Sequence, residues 1–150
     1  MNPQEELRAH LRPASMVGAA LIVSLVIYLG LVEVLRAVLK PFRGFAAVSA
    51  AQPFRLAAFG AAALVILLIL ISRHRLPDRD PKEDTAAALG RLQRASLVVL
   101  VLGEVPAILG LGLFLAFGNA IDFYMLLFAS LALTFIDFPR RAAWEDWLKG

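Results

Sequence analysis

Residues 97–117 read LVVLVLGEVPAILGLGLFLAF, an apolar run broken by a single charge, Glu104. A helix needs about 20 predominantly apolar residues to cross a hydrocarbon core of about 30 Å. This run meets that length, and it places Glu104 close to mid-bilayer. An ionised carboxylate there costs roughly 2.5–3.5 kcal/mol on insertion scales, so it is normally turned inward, paired or protonated. Glu104 is therefore the first candidate for chemistry, as a proton- or cation-binding group.

Working outward, the rest of the chain has the same character. Of its 150 residues, 60% are hydrophobic, and the mean hydropathy is +0.75. Apolar stretches this long do not suit a water-soluble domain of this size. Segments 14–39, 54–72, 95–117 and 120–138 each qualify as spans. They are apolar on every face, whereas a membrane β-barrel needs short alternating segments of about ten residues. The expected fold is an all-α membrane protein, with four transmembrane helices arranged as two hairpins in one integral membrane domain. The first run exceeds the 7–15 residues of a signal-peptide core and carries Glu33 and Arg36, so it reads as a retained span.

Lys and Arg in the flanks set the expected orientation. Arg8, Arg12, Arg73, Arg75, Arg79, Lys82, Arg91, Arg94, Arg140, Arg141 and Lys149 fall on one side, against Arg36, Lys40, Arg43 and Arg55 on the other. Both termini and the linker 73–94 are thus expected in the cytoplasm. In the linker, RHRLPDRDPKED balances four basic with four acidic residues, and Pro77 and Pro81 interrupt any helix. Asp84 or Thr85 then caps a helix of about 30 residues running to Phe117. Gly118 and Asn119 leave room only for a tight turn into the last helix.

The C-terminal stretch 139–150 reads as an interfacial helix in which Trp144, Trp147, Arg140 and Arg141 anchor the chain at the headgroups. Small residues mark close helix approach. Gly103, Ala107 and Gly110 line one side of the third helix, with Pro106 beside them, and Gly112 with Ala116 lines another. In the second helix the pairs are Ala57 with Ala61 and Ala58 with Ala62. These stripes admit two readings: packing within one bundle, or lateral association into a homo-oligomer or a larger membrane complex.

Cysteine is absent, which excludes disulfides, thiolate metal sites and a thiol nucleophile. No phosphate-binding glycine loop is present, and no nucleophile, base and metal constellation is visible. No enzyme activity, cofactor or metal is expected. The pI near 9.8 reflects topology and anionic headgroups, so the expected partner is the lipid bilayer and not nucleic acid.

The stretch GEVPAILGLGLFLAFG resembles the carboxylate helix of the proteolipid c subunit of rotary ATP synthases. The resemblance matches Glu104 to the proton-binding carboxylate, Pro106 to the nearby proline, and Gly110, Gly112 and Phe114 to the packing pattern. It implies proton binding at Glu104. The rotor architecture is not implied, because Glu104 lies on the first helix of its hairpin and the glycine-rich partner helix is missing. Glu33 is the second acidic candidate, a further step of a polar path from Glu104 toward the exterior. Two functions stand side by side: a structural, accessory or assembly role, and a proton- or cation-binding transport subunit.

Overall fold

The computed structural model describes residues 3–46, 51–74, 85–140, 142 and 144. Four helices account for nearly all of them: α1 (Pro3–Val38), α2 (Ala51–His74), α3 (Thr85–Phe117) and α4 (Ala120–Ile136). The first three are long and apolar enough to cross a membrane. The chain is therefore a small multi-pass membrane protein. At 1.5 Å rise per residue, α1 and α3 extend for roughly 50 Å, well beyond a hydrocarbon core of about 30 Å. The polar N-terminal arm and residues 85–94 continue their spans without a break, as the density of helix formers predicts.

The fourth helix is shorter than the expected span 120–138. Its 17 residues cover only about 25 Å. Asp137 ends it, its N–H donating to the Leu133 carbonyl at 2.9 Å, and Pro139 follows. Linker residues 75–84, with Pro77, Pro81 and the capping candidate Asp84, lie outside the described residues, as do Arg141, Trp147 and Lys149.

α3 is the axis of the bundle, packing on α4, α1 and α2 in decreasing extent. α3 and α4 form the expected hairpin, but α1 and α2 do not form the other one. They are joined in sequence, yet α1 packs on α3 and α4 while α2 leans on α3. The reason is visible in the connection between them. Residues after α1 fold onto the end of α3, where Phe45 N–H donates to the Leu115 carbonyl at 2.9 Å and Ala46 N–H to the Ala116 carbonyl at 2.7 Å. These are carbonyls that a helix C-terminus leaves without intrahelical partners. Phe42 packs on Phe114, ring centroids 4.9 Å apart. Residues 42–46 are thus held across the end of α3, while α2 packs along α3 apart from α1.

Gly118 makes the α3–α4 turn possible. Its φ of +72° is left-handed, its N–H closes on the Phe114 carbonyl at 2.7 Å, and a Cβ there would lie 2.7 Å from the Phe42 carbonyl oxygen. Asn119 then caps α4, its Oδ1 accepting from Ile121 N–H at 3.1 Å.

Three apolar clusters hold the bundle. Leu25 and Val32 of α1 meet Ala107 and Phe114 of α3 and Phe123 and Leu127 of α4 in the middle. Ala58 and Ala62 of α2 meet Leu113 and Leu126. At the end where α1 and α3 begin, Leu7, Ala14, Leu89, Leu92 and Trp144 pack together. Trp144 is only 4% exposed. Of the expected headgroup anchors, Trp144 packs between α1 and α3, while Arg140 is exposed.

Candidate functional site

Ser24 and Tyr28 lie four residues apart, on adjacent turns of one side of α1, and that side meets α3 at Glu104. Ser24 Oγ donates to Glu104 Oε1 at 2.5 Å, and Tyr28 OH donates to the same oxygen at 2.9 Å. Both bonds join helices, and both fall on one carboxylate oxygen. The second oxygen, Oε2, takes no hydrogen bond among the described residues. Glu104 is half-buried.

The neighbouring turn of α3 is fixed from the other side. Pro106 has no N–H, so the helical ladder is interrupted there. One residue on, Ala107 N–H donates to Ser130 Oγ of α4 at 2.8 Å, and Thr134 Oγ1 donates to the Ser130 carbonyl at 2.9 Å. Ser130 and Thr134 are buried. The glycine stripe lets the two helices come this close. A Cβ at Gly110 would sit 3.0 Å from Leu126 Cβ and 3.2 Å from the Phe123 backbone, and one at Gly103 would touch Leu133. Gly103, Ala107 and Gly110 therefore face α4, as their spacing suggests.

Gly112 belongs elsewhere. Nothing lies near its Cβ position, and it lines a groove of about 610 Å³ between α2 and α3 with Ala57, Ala61 and Ile108. Of the two small-residue pairs in α2, Ala58 with Ala62 makes the buried contact, while Ala57 and Ala61 are exposed along this groove.

Glu33 is not brought to Glu104. Five residues separate Tyr28 from Glu33, a rotation of about 140° around α1. Glu33 accepts from Tyr124 OH of α4 and from Arg36 at 3.4 Å, and Arg36 also donates to Tyr124 OH at 2.6 Å. Both Arg36 and Glu33 are about half exposed, so the pair is a surface clasp between α1 and α4.

A further charged pair escaped the sequence reading. Asp122, 2% exposed, faces Arg55 of α2. Arg55 donates through its terminal nitrogen to Oδ1 at 2.9 Å, its Nε lies 2.6 Å from Oδ2 in a bent contact, and Asn119 Nδ2 donates to Oδ2 at 2.9 Å. The sequence signal was the Asn119-x-x-Asp122 capping spacing, which places an acid in the first turn of α4, level with Arg55 in the second turn of α2.

Among the described residues no group of three or more His, Asp and Glu side chains is arranged to hold a metal ion. The fold defines the class, a small multi-pass membrane protein built around α3. No family model, curated protein or solved structure matches the chain.

Proposed function

We propose that the chain is a non-enzymatic accessory protein of the membrane, in which Glu104 is an interhelical clamp. The double hydrogen bond from Ser24 and Tyr28 to one carboxylate oxygen carries this reading. A polar group inside the bilayer stabilises helix association when a partner satisfies it. Glu104 fastens α1 to α3, Ser130 fastens α3 to α4, and together they make a rigid three-helix unit. α2, held along one side, presents its remaining surface to lipid or to a lateral partner. All four helices cross the bilayer in this reading, the last with its polar ends drawn toward the interfaces, and both termini face the cytoplasm in accord with the basic flanks.

The second reading is a proton-binding unit, favoured by Oε2, which takes no hydrogen bond among the described residues and sits on a helix with a neighbouring proline. A hydrophobic carbodiimide, which attacks a protonated carboxyl in an apolar setting, separates the two. The clamp predicts no adduct on Glu104 across a pH series in detergent, and labelling once Ser24→Ala and Tyr28→Phe are combined. Labelling of the unaltered protein that is lost as pH rises overturns the clamp in favour of proton binding.

A further inference from the structure

A second groove, of about 590 Å³, runs between α2 and α3 toward the end where α2 finishes and α3 begins. Its walls are apolar, formed by Leu68, Val98 and Leu102, and its mouth is polar, with Ser72, Arg94 and Ser96. Arg94 is exposed, and no carboxylate among the described residues pairs with it. Ser96 Oγ likewise makes no hydrogen bond to the described protein, whereas Ser72 Oγ is turned to the Ile69 carbonyl at 2.8 Å. Asp137 borders the same groove. From Arg94 to Leu102 the floor descends about 12 Å along α3.

Asp137 is already engaged in an interaction of its own, so the exposed Arg94 guanidinium at the mouth of an apolar trough is the charge left to select a ligand with an anionic head and a long hydrocarbon tail. We propose that this groove binds one glycerophospholipid, its phosphate on Arg94 at the mouth and one acyl chain along Val98 and Leu102 against Leu68. Charge complementarity decides the head, since a guanidinium recognises phosphate through paired N–H donors. Wall chemistry decides the tail. The site also completes the attachment of α2. At its other end α2 is fixed by Arg55 to Asp122 and by Phe54 against Phe117, centroids 5.9 Å apart. The proposal rests on the membrane placement of α2 and α3 and is independent of the role of Glu104.

The test is native mass spectrometry of the full chain in detergent, titrated with dioleoylphosphatidylglycerol. One lipid is expected to be retained. Arg94→Gln should weaken retention about tenfold, as loss of a charge-assisted contact predicts. Val98→Trp, placed at a residue 58% exposed, should block the tail to a similar extent. Arg8→Gln, on the same flank but outside the groove, should leave retention unchanged. Dioleoylglycerol, with the same tails and no phosphate, should bind at least about tenfold more weakly, and millimolar inorganic phosphate should not displace the lipid. Equal retention of dioleoylglycerol, or an unchanged Arg94→Gln titration, overturns phosphate recognition. Displacement by inorganic phosphate overturns the lipid assignment in favour of a free anion site.

Discussion

Replacing Glu104 by Leu removes the shared acceptor of Ser24 and Tyr28 while keeping an apolar side chain of similar reach. Interhelical hydrogen bonds in membranes average about 0.6 kcal/mol and reach about 1.7 kcal/mol. Two such bonds end on Oε1, so Glu104→Leu should destabilise the bundle by about 1.2 kcal/mol and at most about 3.4 kcal/mol. Glu104→Gln retains an oxygen at that position and should cost less than about 0.6 kcal/mol. The decisive comparison is with a protein already carrying Ser24→Ala and Tyr28→Phe. There Glu104→Leu breaks no hydrogen bond, and its cost should fall to about zero, giving a coupling near 1.2 kcal/mol. Unfolding in mixed dodecyl sulfate and maltoside micelles, followed by far-ultraviolet circular dichroism, supplies the four free energies. An equal cost of Glu104→Leu in both backgrounds would refute the clamp.

Gly110→Ala drives a methyl group against the Phe123 backbone and should cost about 1–3 kcal/mol in the same assay, whereas Gly112→Ala, with open space around it, should not destabilise. Ser130→Ala deprives Ala107 N–H of its buried acceptor, and hydrogen exchange at that amide should accelerate relative to its neighbours in the helix. Asp122→Ala should release the start of α2 from α4. The chain contains no cysteine, so disulfide crosslinking between Ala58→Cys and Leu113→Cys reads this without background and should slow in the Asp122→Ala protein. With Trp147→Phe leaving Trp144 as the sole indole, brominated lipids should quench its fluorescence weakly, because the ring is enclosed by Leu7, Leu89 and Leu92; strong quenching would place it at the lipid surface instead.

Hydropathy and length alone made α1, α2 and α3 legible as spans, because a chain in lipid must satisfy its backbone internally and a helix does so within one segment. Spacing also marked Gly103, Ala107 and Gly110 as one face, and Gly118 with Asn119 as a turn. Glu104 stood out as the deep acid that had to be turned inward, paired or protonated.

Other features were decided only by the tertiary structure. That α1 and α2 stand on different sides of α3 depends on where the connecting residues find carbonyls to bond, at Leu115 and Ala116, far away in sequence. That Ser24 and Tyr28 reach Glu104 rather than Ser96 or Thr134 depends on the rotation of α1 about its own axis, which an apolar sequence leaves nearly unspecified. The burial of Trp144 against Leu7 and Leu89, and the pairing of Arg55 with Asp122, likewise require elements dozens of residues apart to meet. Composition determined that this chain belongs in a bilayer, since the transfer of apolar side chains from water sums over residues without regard to their order in space. Which polar groups satisfy one another follows from direction and distance, and those exist only once the helices have packed.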